Sequence, residues 1–327
     1  MRTFLGVDGG GSKTAFVLIS EAGDVLAEAK GPSCYYFEEG IDLVEQVLGH
    51  GITAVSEQSG IAASDITQAF FGLPGYGEVS ADVPVLNSIP GSLLGTARYS
   101  CDNDMICGWS GSLAAADGIN IISGTGSMTY GEREGRTHRA GGWGELFGDE
   151  GSAYWIAVRG LNAFSRMSDG RLPRGPLYEA LKSRVDVRND LDLVGIVLNQ
   201  WHGRRTAIAD LSKTVVEAAE LGDATARQIL IDACVELAGI VDATARELRY
   251  PPEDIVPVSY SGGMFTAPYL LEIFKSVIGS RSRHYELRAP LLDPGIGAAL
   301  YAAKVTGSPL SAEALKSLEQ LQAQAVV

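Results

Sequence analysis

Cysteine is scarce in this chain: Cys34, Cys101, Cys107 and Cys234 are the four among 327 residues. Their separations match no zinc or iron–sulfur spacing, and so few thiols exclude a disulfide framework, leaving reduced core or pocket cysteines. Basic residues are also in short supply, 26 Lys and Arg against 40 Asp and Glu, for a formal net charge of −14. Coating a nucleic acid or an anionic membrane needs the opposite balance, so neither partner is expected. A local cationic pocket for a phosphorylated ligand is still compatible with that charge. No apolar run reaches the ~20 residues of a membrane span. The apolar run at 4–7 is too short for a signal peptide and ends on Asp8, so a cytoplasmic protein is expected. His50, His138, His202 and His284 are scattered, and none is placed as a ligand.

Apolar residues, by contrast, make up 46% of the chain, and there are 40 glycines. The apolar fraction excludes a disordered chain. The length exceeds the ~250–300 residues at which a single core stops growing, so two domains are expected.

The first informative pattern is an apolar run at 4–7, the loop Asp8-Gly9-Gly10-Gly11-Ser12-Lys13-Thr14, and a second apolar run at 15–19. Strand formers on both sides of a polar, glycine-rich turn predict a β-hairpin. A Walker loop is excluded because Ser12 separates Gly11 from Lys13 and a strand follows where a helix should. A dinucleotide fingerprint fails on glycine spacing and on the same missing helix. A hairpin tip without side chains lets backbone N–H groups approach an anion. Ser12 and Thr14 add hydroxyls, Lys13 a positive charge, and Asp8 suits a hydrated Mg²⁺ beside a phosphate.

The pattern recurs. Ile119-Asn120-Ile121-Ile122 runs into Ser123-Gly124-Thr125-Gly126-Ser127 and then Met128-Thr129-Tyr130, 115 residues on from Gly9 to Gly124. Two such hairpins suggest duplicated units whose tips face each other across a cleft. A third loop, Ser261-Gly262-Gly263, follows an apolar run and precedes a helix whose N-terminus carries partial positive charge. Between these loops the spacing predicts a third strand at 25–27, a helix through Ile41, Val44, Val47, Leu48, Ile52 and Val55 that Gly49 and Gly51 weaken, and a strand at 69–73 ending in Pro74-Gly75-Tyr76-Gly77. Helical periodicity covers 177–185, 191–201, 208–221 and 224–248, ending at Pro251-Pro252. Pro257 weakens a strand at 255–258, and Ser311 is placed as the N-cap of a helix over 312–324.

The three loops in this order resemble the first phosphate, second phosphate and adenosine motifs of the actin/hexokinase ATPase superfamily. Gly141-Gly142-Trp143-Gly144, followed by Gly148-Asp149-Glu150-Gly151-Ser152-Ala153-Tyr154-Trp155, is similar to the N-acetylglucosamine kinases of the BadF/BadG/BcrA/BcrD-type ATPase family. The likeness runs from Val7 to Gly295-Ile296-Gly297-Ala298-Ala299. It implies two RNase H-like (actin-like ATPase) α/β domains with ATP and sugar in the cleft between them. The domains are expected over 1–116 and 117–304, the second carrying a helical elaboration at 151–250, with a C-terminal helix (305–327) packing back on the first. That helical elaboration has surface enough for a homodimer.

The resemblance implies an ATP-dependent sugar kinase that uses Mg²⁺, with a small-molecule amino sugar as acceptor. Asp104 matches the family's catalytic aspartate, preceded by Asn103. A helix N-cap is the competing reading of Asp104, and Asp102 the nearest competitor for its role. Gly9, Gly10, Gly11, Ser12, Lys13, Thr14, Thr125, Gly126, Gly262 and Gly263 are placed on the nucleotide. Cys34, Gly75, Asn103, Asp104, Gly142, Trp143, Asp149 and Glu150 are placed on the sugar, with core packing the alternative for Trp143. Asp8 is placed on Mg²⁺ through water. Two positions depart from the family. Cys34 stands where Gly-x-Ser-Asn has its asparagine, and a thiol hydrogen-bonds weakly. Met128 follows the second loop where some relatives carry a polar residue. These leave glucosamine, N-acetylmuramic acid or another hexose open as acceptor. Two rivals share the nucleotide loops. A dehydratase activator holds a [4Fe–4S] cluster through cysteines, but Cys101 and Cys107 form no Cys-x-x-Cys. A sugar-responsive repressor needs a helix-turn-helix ahead of a strand that here begins near Thr3. A non-catalytic nucleotide sensor is open to the same residues.

Overall fold

The apolar run ahead of the first glycine loop makes β1 (Thr3–Gly9), buried on both faces as a central strand should be. It turns at Gly10, whose N–H donates to the Lys13 carbonyl at 2.9 Å, into β2 (Lys13–Ser20), and β3 (Val25–Pro32) completes an antiparallel meander. Helix α1 (Asp42–Ser59) forms despite its two inner glycines, because Gly51 lets the Phe16 ring lie against its backbone. The chain continues through β4 (Gln68–Leu73), α2 (Val83–Leu94), β5 (Tyr99–Asn103) and α3 (Met105–Leu113). Strands β4 and β5 run parallel to β1, giving the order β3-β2-β1-β4-β5. Leu5, Val7, Phe16, Phe71, Val44, Leu48 and Leu86 join the helices α1 and α2 to the sheet in one buried cluster.

The second sheet repeats this plan. β6 (Gly118–Ser123), β7 (Ser127–Arg133) and β8 (Arg136–Gly141) form an antiparallel meander. A long crossover then carries α4 (Ala153–Ser168), α5 (Pro176–Val185), α6 (Asp192–Gly195) running into a π-helical turn at Ile196–Gln200, α7 (Arg205–Ala209), α8 (Ser212–Glu220) and α9 (Ala224–Glu247). Helix α9 ends a turn before Pro251, with Arg249 in the left-handed region at φ 57°. Next come β9 (Val256–Ser261), a 3₁₀ turn at Gly263–Thr266, α10 (Pro268–Gly279) and β10 (Tyr285–Arg288). The order is β10-β9-β6-β7-β8, with β9 and β10 parallel to β6. Pro257 is tolerated in β9 because pairing with β6 begins one residue later, at Val258. β8 and β10 carry no clear apolar run, and both escape the sequence reading.

The chain closes with α11 (Pro294–Val305) and α12 (Ala312–Ala325). The Ser311 hydroxyl accepts from the Ala314 N–H at 3.2 Å, the cap expected there. This computed structural model describes residues 1–37 and 39–325. It divides into two compact units, Met1–Asp117 with Ala289–Val327, and Gly118–Arg288. The boundary near 117 lies one residue from the expected one. The segment 289–304 differs: sequence reading puts it in the second domain, whereas it packs in the first unit. The glycines explain why. At Gly6 a Cβ would run into the Ala299 backbone, and at Gly297 into the backbone of Cys107 and Gly111, so α11 seats directly on β1 and α3. Of the expected C-terminal helix, residues 326–327 lie outside the described residues. Among the described residues no helix is long and apolar enough to cross a membrane.

Candidate active site

In the first unit the site grows from the ends of β1, β4 and β5. Asp8 lies next to last in β1, and the hairpin loop after it leaves Gly11, Ser12 and Lys13 exposed. Nothing stands within 4 Å of a Cβ placed on Gly11, so the backbone there is open to a ligand. Gly9 answers to a different demand: a Cβ would sit 2.7 Å from the Cys34 sulfur and 2.8 Å from the Gly72 carbonyl. Thr14 is fully buried and its hydroxyl donates to the Pro32 carbonyl at 2.8 Å. Its O–H holds the hairpin to β3.

Cys34 packs close by. Its side chain is completely buried beneath the hairpin, and burial pushes its thiol up to about 11. It packs under Gly9 rather than presenting a polar group. Gly75, at φ 75°, is covered by Phe37, whose ring carbons would lie 3.2 Å from a Cβ.

Asp104 stands at the N-cap of α3, yet its side chain makes no cap bond. Asn103 does the capping, accepting from the Met105 N–H at 3.2 Å while its amide donates to the Tyr76 carbonyl at 3.2 Å. Asn103 is thus a buried brace between the β4 loop and α3. Asp102 is turned back on the chain, accepting from the Asn103 N–H at 2.7 Å. Burial first, and then the charge of Asp8, push the Asp104 carboxyl up to about 7. Asp8 itself is raised to about 6 by burial, against the pull of the Cys107 hydrogen bond and the Lys13 charge, while Asp293 raises it further. Burial holds Cys107 well above the usual thiol range, so it stays an S–H donor. Cys107 and Asp293 are site neighbours that no spacing in the sequence marks; only the seating of α3 and α11 against β1 brings them there. Two carboxyls held above their ordinary range, Asp8 by burial and Asp104 by burial and the charge of Asp8, are groups that a divalent cation would stabilise, and Mg²⁺ takes one or two such oxygens together with phosphate.

In the second unit the tip of the β6–β7 hairpin leaves Thr125 exposed. The Gly124 N–H donates to the Gly126 carbonyl at 2.9 Å, closing the turn. The Ser127 hydroxyl donates to the Glu150 carbonyl at 2.7 Å, and the Ala153 N–H to the Gly124 carbonyl at 2.8 Å. The tip of the β6–β7 hairpin and the Asp149–Ala153 stretch are thereby one unit of backbone. Gly142 joins it through its N–H on the Ser127 carbonyl at 2.8 Å.

Gly262 must be glycine: it has φ 98°, and a Cβ there would strike the Ser123 carbonyl. The collision that excludes a side chain is thus with the protein's own second loop. Gly263, with nothing within 4 Å of its Cβ position, is the open one of the pair. Trp143 is 71% exposed, which rules out core packing, and Leu146 and Phe147 beside it are 90% and 74% exposed. Asp149 is 2% exposed and sits at φ 56°. Its carboxylate pairs with Arg205, a residue of the crossover that nothing in the sequence marks. Burial raises the Asp149 carboxyl, and the Arg205 charge is the strongest influence lowering it.

The whole chain has relatives. An N-acetyl-D-glucosamine kinase of Dictyostelium discoideum is 30% identical over 310 residues, 91% of this chain and 97% of its own. An N-acetylmuramic acid/N-acetylglucosamine kinase of Clostridium acetobutylicum is 28% identical over 92% of this chain and 98% of its own. Among solved structures, a Chromobacterium violaceum protein provisionally named an N-acetylglucosamine kinase superposes with a TM-score of 0.67 at 29% identity, covering 92% of this chain and 98% of that one. The match of residues 5–302 takes in both glycine hairpins, Asp104 and the Asp149 stretch, and with it the chain belongs to the BadF/BadG/BcrA/BcrD ATPase family.

Proposed function

We propose that this chain is an ATP-dependent amino-sugar kinase that transfers the γ-phosphoryl group of ATP to the 6-hydroxyl of N-acetylglucosamine. The observation that carries the reading is Asp104, a carboxyl raised to about 7 whose capping duty Asn103 has taken over. A general base works best with its pKa near the working pH. Asp104 accepts the proton of the sugar hydroxyl as that oxygen bonds to phosphorus and the bond from phosphorus to ADP breaks. Phosphoryl transfer asks the protein mainly for positioning and charge. The open backbone at Gly11, with Ser12 and Lys13, and that at Thr125 and Gly126 supply N–H, hydroxyl and ammonium donors to the phosphates. Gly262 and Gly263 take the adenosine side. Asp8 would hold magnesium, which would supply charge neutralisation on the phosphate oxygens.

For the acceptor, the Asp149 carboxylate offers an acceptor to sugar hydroxyls, Gly142 and Glu150 flank it, and the exposed face of Trp143 suits an apolar sugar face. The likeness to the Clostridium enzyme favours N-acetylmuramic acid as a second acceptor. The reaction draws on the ATP pool of the cytoplasm, where we place the protein. The test is coupled ADP release with MgATP against N-acetylglucosamine, N-acetylmuramic acid, glucosamine and glucose. Turnover on N-acetylglucosamine, lost without Mg²⁺, supports the reading, and ADP release indifferent to every sugar overturns it.

A further inference from the structure

Asp149 has both of its oxygens engaged. Oδ1 accepts from the Ser127 N–H at 3.4 Å, and Oδ2 is paired with Nη2 of Arg205. Arg205 is the first residue of α7, 56 positions along the chain from its partner. Its Nε faces Oε2 of Glu145 at 3.3 Å and is buried without a hydrogen-bond partner. The same guanidinium lies over the second phosphate loop, for a Cβ on Gly126 would come within 2.5 Å of Nη2. One side chain from the helical crossover therefore touches the phosphate loop, the Trp143 loop and the buried carboxylate.

We propose that Arg205 is a positioning residue of the acceptor subsite: its ion pair keeps the Asp149 carboxylate charged and turned toward Gly126, ready to accept hydrogen bonds from sugar hydroxyls. The inference rests on the reading of Asp149 as a sugar-binding residue. A carboxylate buried this far is costly to keep ionised without a partner. The groups that face it are Arg205 from α7, the Ser127 N–H from β7, and Glu145 and Glu150 from its own loop. The first two favour the charged form and the two glutamates oppose it. Once protonated, Asp149 loses the charge that strengthens bonds from sugar hydroxyls.

Kinetics of Arg205→Gln, Arg205→Lys and Glu145→Gln against pH test this. Arg205→Gln is expected to raise KM for N-acetylglucosamine about 10–100-fold near neutral pH, with KM for MgATP moving less than about twofold. The loss shrinks as pH rises, because a carboxyl of raised pKa ionises only at higher pH. Arg205→Lys, which keeps the charge, recovers most of the sugar affinity. Glu145→Gln removes an opposing charge and moves the acid side of the sugar-KM profile the other way, to lower pH. An unchanged sugar KM and pH profile in Arg205→Gln, or an equal rise in both KM values with no change of profile, overturns the proposal. If Arg205→Gln does not fold, an unmoved profile in Glu145→Gln does the same. Should the wild-type protein phosphorylate no sugar, the functional reading fails on its own. The carboxyl ¹³C titration of Asp149 in ligand-free wild type and Arg205→Lys or Arg205→Gln then decides: an Asp149 pKa that ignores Arg205→Gln sinks the inference.

Discussion

The two units are built on the same ladder, β3-β2-β1-β4-β5 in one and β8-β7-β6-β9-β10 in the other, and differ most in one crossover. Between β3 and β4 the chain spends residues 33–67, chiefly on α1. Between β8 and β9 it spends residues 142–255, on six helices. In both, a glycine hairpin stands at the same corner of the sheet, joined by Gly9↔Thr14 in one and Ser123↔Ser127 in the other. What lies against each hairpin differs. In the first unit the neighbours are strand ends and short loops: Gly72 at β4, Asp104 after β5, Cys34 after β3. In the second, the long crossover delivers Asp149 and Arg205. The shared ladder fixes where the glycine hairpin sits, and the crossover decides which side chains are set beside it.

The sharpest contrast concerns where the reacting charge lies. Asp104→Asn is expected to lower kcat by about 10³-fold or more, within the range of lost general-base catalysis or beyond it, while nucleotide binding by calorimetry stays near wild type. The same change should stabilise the fold. A carboxyl raised from its ordinary 3.8 to about 7 in the folded chain contributes a penalty that is absent below the unfolded value, grows as pH rises through that window, and is complete above it. Asp104→Asn should therefore gain up to about 4 kcal/mol at pH 8 and little near pH 4, read from denaturant midpoints. Full activity in the variant would move the base elsewhere.

A second contrast is between glycines that serve the fold and those that serve a ligand. Gly262→Ala forces a side chain into φ 98° against the Ser123 carbonyl and should cost about 2–4 kcal/mol of stability. Gly11→Ala meets no atom within 4 Å, so stability should stay within about 0.5 kcal/mol while MgATP binding weakens. Equal thermal shifts in the two would erase the distinction.

The pair of carboxyls in the first unit gives a smaller effect. The charge of Asp8 raises Asp104, so activity should fall on the acid side with an apparent pKa near 7 in kcat/KM. Asp8→Asn should move that limb down by about one unit in whatever activity survives. A limb that stays in place would mean the two do not titrate together. The smallest effect is expected at Cys34. Cys34→Ala should cost about 1–2 kcal/mol from lost packing, with KM for N-acetylglucosamine changing less than about threefold. A rise beyond tenfold would return Cys34 to the sugar.

Much of this is legible in the sequence. Short-range signals, a polar glycine tip between two runs of strand formers, locate β1–β2 and β6–β7, and the family resemblance singles out Asn103-Asp104 ahead of a small-residue helix as the candidate base. The bond that Thr14 donates to the Pro32 carbonyl is not legible, because a hydroxyl beside a glycine loop reads equally as a donor to a ligand. The seating of α11 is not legible because Gly6 fits against Ala299 and Gly297 against Cys107 and Gly111, partners far apart in the chain. Arg205 left no signal: one arginine in a polar helical stretch looks like a solvated face.

The sequence alone therefore settled which segments turn and which are buried, since φ > 0 at a glycine, strand propensity and helical periodicity are properties of neighbours a few residues apart. Only the tertiary structure decided that Asp104 and Asp8 share a field, that Thr14 and Cys34 belong to the packing, and that Arg205 meets Asp149. Desolvation and Coulomb interactions depend on distance in space, and the chain closes those distances only when helices from remote segments settle on the sheets.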